Sequence, residues 1–287
     1  MPRFRMLAVD VDGTLVNSND ELTPATQAAL RRAAAHGITV VIATGRRYSR
    51  TIHLVEPLGI DVPLVTASGA LIKSPATHET FFRADFGEEL LGQMTRFIAA
   101  EGFIPILLGD TFEQGFDYYH PPIERPNPPL EEYLRLNPGC GRTVPDLLHR
   151  PPSDVFGAFA MGTQAEMLEL QDRLQRTFPG ALSTHVLRSP RYTGYFCEIA
   201  PGGVTKWSGI RKLAAREGIA DETICAVGDD VNDIPMIRAA GLGVAMGNAL
   251  PEVQAVADRI APGHDEDGLS TVVDWLLATD DLASKPS

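Results

Sequence analysis

Met6-Leu7-Ala8-Val9-Asp10-Val11-Asp12-Gly13-Thr14-Leu15 decides the fold. A short apolar run of strand formers stops abruptly at two carboxylates, so it reads as a buried strand that delivers acids to its own carboxyl end. Ligands of open parallel sheets collect at that edge. Along an extended chain Asp10 and Asp12 point the same way. Two unit charges ~4 Å apart repel by about 4 kcal/mol at an effective dielectric of ~20, so the pair calls for a cation or a shared proton. No His or Cys lies beside them, and an all-oxygen site suits Mg²⁺. Taken alone, a two-acid turn of this kind is more often an ordinary polar strand exit with an Asp-Gly turn than a catalytic one, so matching chemistry at other strand ends must decide.

Such chemistry recurs along the chain. Thr23-Pro24 reads as a helix N-cap followed by proline at the first helical position, with the helix running through Ala33 to a stop at Gly37. The β-branched run Ile38 to Ala43 then ends in Thr44-Gly45-Arg46 before a second helical stretch. A hydroxyl, a flexible glycine and a helix start together make an anion seat, while a Thr N-cap beside an exposed Arg is the plainer alternative. A third strand, Val62 to Ala67, leads to Ser68-Gly69-Ala70 and a hairpin through Phe82. Late in the chain, helical spacing from Lys206 to Glu217 places Trp207, Ile210, Leu213 and Ala214 on one side. The strand Thr223 to Val227 follows and runs into Gly228-Asp229-Asp230-Val231-Asn232-Asp233. Leu242 to Met246 and Leu269 to Leu277 complete this part.

Between these halves the grammar changes. Residues 83–199 carry helices at Glu88 to Ala100 and Gln164 to Phe178, among strands near Ile104 to Leu108, Val155 to Met161, Leu182 to Arg188 and Tyr195 to Ile199. The proline-dense stretch Pro121 to Pro152 reads as one long irregular loop. The fold class is therefore α/β, a Rossmann-like doubly wound parallel sheet core formed by residues 1–82 and 200–287, with an inserted α+β domain at 83–199.

A length of 287 residues suits a core domain carrying a smaller second one. Lys+Arg 25 against Asp+Glu 37 leaves a net charge of -12, which argues against general binding to nucleic acid or anionic membrane. Any phosphate handled here must meet local positive potential. Cys140, Cys197 and Cys225 form no Cys-x-x-Cys pair, so neither a zinc site nor a disulfide framework is indicated. With no apolar stretch long enough to span a bilayer and no cleavage signal, the expected compartment is the cytoplasm.

Asp-x-Asp-Gly-Thr, Thr-Gly-Arg, an isolated Lys and Gly-Asp-Asp-x-Asn-Asp, in this order, resemble the haloacid dehalogenase superfamily, most closely its Cof-type phosphatases. Glu198-Ile199-x-Pro201-x-Gly203-Val204-x-Lys206 and Asp265-Glu266-Asp267-Gly268 look like signatures of the same family. The resemblance implies that Asp10 is the nucleophile and forms an aspartyl phosphate, and that Asp12 is the acid and then the base. It further implies that Thr44, Gly45, Arg46, Lys206 and Asn232 hold phosphate. Mg²⁺ would be bound by Asp10, the Asp12 carbonyl and Asp229, with Asp233 behind them anchoring the metal water or Lys206. The insertion becomes a cap that selects a small phosphorylated metabolite, expected to be a sugar phosphate. Tyr118, Tyr119, His120, Arg125, Arg188, Arg191 and Tyr192 are candidate contacts in it. Ser68 replaces the family's usual Asn, and Trp207 its usual Gly. A phosphosugar mutase on the same core and a phosphate-accepting receiver module are the rival readings. The receiver's acids would gather after its first strand, whereas Asp229 comes near the end of this chain.

Overall fold

In the computed structural model, which describes residues 3–188 and 191–278, the opening apolar run becomes β1 (Met6–Val9), wholly buried. Residues 1–2 and 279–287, assigned above to the core, lie outside the described residues. Helix α1 (Pro24–Ala35) starts where the Thr23 side chain accepts from the Thr26 N–H, with Pro24 where a missing donor costs nothing. Strand β2 (Thr39–Ala43), helix α2 (Tyr48–Val55) and strand β3 (Leu64–Thr66) continue the winding. The expected hairpin then appears as β4 (Leu71–Lys73), antiparallel to β3, followed by β5 (Thr80–Arg83).

The chain divides into two compact units, Met1–Phe82 with Thr205–Ser287, and Arg83–Val204. The second contains α3 (Glu88–Ala100), β6 (Ile106–Gly109), β7 (Tyr118–His120), α4 (Pro128–Leu136) and β8 (Gly141–Thr143). It continues with β9 (Val155–Gly162), α5 (Gln164–Thr177), β10 (Leu182–Leu187) and β11 (Tyr195–Pro201). These strands form one sheet in the order β10-β11-β9-β6-β7-β8. Helices α3 and α5 bury Met94, Ile98, Leu170 and Leu174 against Ala158, Ala160 and Cys197. Strand alternation turns Phe159 and Phe196 to the opposite face, where both meet Tyr133 of α4 edge-on.

Two expectations need correction in this unit. The stretch from residue 121 to 152 is no single loop, because α4 and β8 lie inside it. Proline excludes helix interiors but not helix starts: Asn127 caps α4 by accepting from the Leu130 N–H, and Pro128 and Pro129 occupy the first turn. At the other end β11 runs on to Pro201, which carries this unit to Val204 rather than to residue 199.

The first unit resumes with α6 (Lys206–Arg216), β12 (Ile224–Gly228), α7 (Ile234–Ala239) and β13 (Leu242–Ala245). The short α8 (Pro251–Gln254), β14 (Arg259–Ile260) and α9 (Gly268–Leu277) close it. Its sheet order is β14-β13-β12-β1-β2-β3-β4-β5. Strand β1 sits between two parallel partners, which explains why it is apolar on both faces. Ile210 and Leu213 of α6 pack on Met6, Val41 and Val65. Each such side chain contributes roughly 1.5–3 kcal/mol on burial. Among the described residues no helix is long and apolar enough to cross a membrane.

Candidate active site

Register brings the strand ends level. Val9 lies opposite Val227 on one side and Ile42 on the other, so Asp10, just past β1, stands level with Gly228 and Ala43, the last residues of β12 and β2. Directly after Asp10 the chain makes one wide turn, Val11–Leu15, in which the Val16 N–H donates to the Val11 carbonyl at 3.2 Å. Wide turns of this kind concentrate at functional sites. Gly13 holds φ +72, and a Cβ there would lie 2.2 Å from Asp229 Oδ2. Asn248 Nδ2 donates to the Gly13 carbonyl at 2.9 Å, and the Thr14 hydroxyl donates to Asp229 Oδ1 at 3.1 Å. Gly13→Ala is therefore expected to displace Asp229 and lower kcat/KM by about 100-fold. Steady-state kinetics beside a circular dichroism spectrum like that of the parent protein check this.

Lys206 is the first residue of α6, and its neighbour Thr205 caps that helix by exchanging hydrogen bonds with Ser208. Gly69, at φ +101, lets the backbone pass so close that a Cβ would come within 2.1 Å of the Thr205 carbonyl. This close approach fixes the start of the helix. The Lys206 ammonium donates to Asp10 Oδ1 at 2.6 Å, Asp233 Oδ1 at 2.7 Å and Asn232 Oδ1 at 3.3 Å. Lys206, Asp10 and Asp233 are 2%, 4% and 0% exposed, so these are interior ion pairs and not surface ones. Asp233 Oδ2 meanwhile accepts from the backbone N–H groups of Asp229 and Asp230 at 3.1 and 3.2 Å.

Asp10, Asp229 and Asp233 each offer an oxygen within 4.8 Å of the others. One lysine cannot neutralise three carboxylates. Burial, then the charge of Asp233, holds Asp10 well above the ordinary carboxylate range although Lys206 pulls it down. Asp229 is pushed up to about 7, first by burial and then by Asp233, against the hydrogen bond from Thr14. Burial acts to lower the Lys206 pKa, but Asp10 and Asp233 outweigh it, so the ammonium stays charged. Only if all three acids ionise are two negative charges left uncompensated, and this set of hard oxygen donors fits one divalent cation of the Mg²⁺ type, which would take the place of the protons that burial favours.

Beside this cluster, Thr44 is buried just beyond β2, and its Oγ1 accepts from the Arg46 N–H at 3.0 Å. Gly45 lies between them. The Arg46 guanidinium takes both oxygens of Asp12, Nε to Oδ2 at 3.0 Å and Nη2 to Oδ1 at 2.7 Å. The same Nη2 reaches Asp20 Oδ1 at 2.5 Å. The carboxylate that joins those of Asp10 and Asp229 is that of Asp233, as fits a place behind the metal ligands, while the Asp12 side chain, of which only the backbone carbonyl was expected on the metal, belongs to Arg46. Arg46, expected to face phosphate, gives these donors to carboxylates. Asp20 went unnoticed because nothing separates it from the other polar residues of 17–21.

Several other candidates and substitutions also find their places. Tyr118 and Tyr192 are buried around Tyr133, with the Tyr192 hydroxyl accepting from Asn137 Nδ2 at 2.9 Å. Tyr119 donates to Asp154. Trp207 packs, half-buried, on the core of the first unit. Ser68 takes a left-handed conformation (φ 56) in the turn after β3.

A lysine and acids buried this deeply, at the carboxyl edge of a wound parallel sheet, mark an enzyme that works on anions. Residues 7–273 match the haloacid dehalogenase-like hydrolases, and the chain belongs to that family, among its Cof-type phosphatases. Membership sets aside the receiver module. Phosphatase YwpJ of Bacillus subtilis is 26% identical, the match covering 96% of this chain and 100% of that protein. The 5-amino-6-(5-phospho-D-ribitylamino)uracil phosphatase YitU of the same organism is 24% identical over 92% of this chain and 94% of its own. Among solved structures, the subclass IIB sugar phosphatase BT4131 superposes with a TM-score of 0.73 and 26% identity, covering 94% of this chain and 98% of that one.

Proposed function

We propose that this phosphatase is a cytoplasmic, Mg²⁺-dependent hydrolase of small phosphate monoesters, sugar phosphates foremost, working through an aspartyl phosphate on Asp10. The observation that carries the reading is the buried Lys206 ammonium held between Asp10 and Asp233. It spends one Asp10 oxygen on Lys206 and leaves the other for attack. Asp10, Asp229 and the Asp12 carbonyl, backed by Asp233, would hold Mg²⁺, which would supply positive charge to the transferring phosphoryl group.

Asp10 attacks phosphorus, a new P–O bond forms, the ester P–O bond breaks, and Asp12 protonates the departing alkoxide. In the second half Asp12 takes a proton from water, which attacks the same phosphorus and frees Asp10 and inorganic phosphate. The Thr44 hydroxyl, whose oxygen already accepts from Arg46, donates its hydrogen to a phosphoryl oxygen. Lys206 and Asn232 hold other phosphoryl oxygens, and positioning with charge stabilisation does most of the work. The inserted unit, residues 83–204, selects the alcohol portion of the substrate. The sugar-phosphate assignment rests on the relative named as a sugar phosphatase and on the phosphoribityl group in the name of YitU's substrate.

A phosphate-release screen over sugar phosphates, nucleotides and pyridoxal phosphate, with and without Mg²⁺, tests both parts. Sugar phosphates should rank first and release should stop on chelation. A nucleotide at the top would refute the substrate class, and full activity in chelator would refute the metal. A pH effect follows as well. Because the folded-state pKa of Asp229 is raised, the native state holds a proton that the unfolded chain loses near pH 4. Without metal, this group's contribution to stability therefore declines as pH climbs from about 4 to about 7. Mg²⁺ replaces that proton, so it should raise Tm more at pH 8 than at pH 5, as scanning calorimetry would show.

A further inference from the structure

The Arg46 guanidinium binds two carboxylates, and only one of them has a part in the chemistry proposed above. Asp12 takes Nε and Nη2 in a two-point grip, and Asp20 takes the same Nη2 from the far side of a loop. That loop is built to present Asp20. Asn17 Oδ1 accepts from the N–H groups of Asn19 and Glu21, each at 3.0 Å, and the Asn17 N–H donates to the Glu21 carbonyl. Asp20 itself sits at φ +63, a conformation that side chains other than glycine seldom adopt. The loop is further anchored through Ser18, whose backbone N–H and hydroxyl both donate to Asp265, at 2.8 and 2.6 Å. The Arg46 side chain is 16% exposed and each of its carboxylate partners 51%, so a mostly buried cation is clamped from solvent by two half-exposed anions.

A guanidinium is planar, and two contacts on one edge leave it free to swing with its partner. A third contact from a different segment removes that freedom. We propose that Asp20 is a positioning residue, which locks Arg46 so that Arg46 aims the Asp12 carboxyl at the leaving oxygen. The idea rests on Asp12 being the proton donor, and it assigns to a loop outside the strand ends a share in leaving-group departure. Without Asp20, Asp10 still attacks phosphorus and Lys206 still meets the phosphoryl group. What suffers is proton delivery, which matters in proportion to the basicity of the alkoxide expelled.

The test is a series of aryl phosphates from p-nitrophenyl to phenyl to p-methoxyphenyl, with kcat/KM measured in the Mg²⁺-loaded protein. Asp20→Gly suits the left-handed backbone while deleting the carboxylate. It should leave p-nitrophenyl phosphate almost untouched and lower the rate on phenyl phosphate about tenfold. Asp20→Glu should recover part of that loss. Asp12→Asn should show a steeper form of the same dependence, and Asp20→Gly added to it should steepen the dependence no further. Equal losses on every ester, or none on any, would overturn the role of Asp20 while leaving that of Asp12 standing. A flat dependence in Asp12→Asn itself would instead remove the proton donor, and the positioning role with it.

Discussion

Asp10→Asn should abolish turnover, by roughly 10⁴-fold or more in kcat, while the protein stays folded. The amide has nearly the shape of the carboxylate, so Lys206 keeps Asp233 as its partner and the turn after β1 need not move. Asp10 is also a group whose ionised form is disfavoured in the fold, chiefly by burial and then by Asp233. Removing that charge should leave Tm unchanged or raise it at pH 8 in the absence of Mg²⁺. Activity is thus expected to collapse with no loss of stability. Stopped assays and calorimetry on one preparation check both, and an appreciable residual rate would contradict attack by Asp10.

Lys206→Ala has the opposite profile. The substitution leaves Asp10 and Asp233 buried without their shared cation, and breaking an interior pair from one side costs about 3–5 kcal/mol. Both stability and phosphoryl transfer should fall, and Mg²⁺ should restore part of the stability because it answers the same excess of negative charge. Denaturant titrations with and without the ion measure this. A variant as stable as the parent protein in chelator would mean that the ammonium does not balance the acids as described.

What could be read in the chain beforehand follows from how local each signal is. Apolar runs broken by acids announce strand ends, so the wound sheet and the family were legible from Met6–Thr14, Thr44–Arg46 and Gly228–Asp233. Helix starts such as Thr23-Pro24 were legible for the same reason, since a cap lies within four residues of what it caps. The helix at Pro128–Leu136 was hidden because the density of prolines outweighed the one detail that mattered, an Asn directly before two of them. The partners of side chains were the least legible. That Asp12 turns to Arg46 depends on a residue 34 positions away, and no spacing rule spans such a gap, whereas the contact of Asp233 with Lys206, 27 positions away, came only from the family resemblance, as one of two roles for Asp233.

The pairing of β1 with β12 joins residues more than two hundred positions apart, with Met6 opposite Ile224. A ribosome making this protein therefore releases Asp10 and Asp12 early and Lys206, Asp229, Asn232 and Asp233 late. For most of synthesis the nascent chain exposes a strand meant to lie in the middle of a sheet, with one permanent neighbour still unmade. Catalytic competence must arrive late and all at once, and a chain cut short ahead of Ile224 would bear Asp10 as an inert carboxylate.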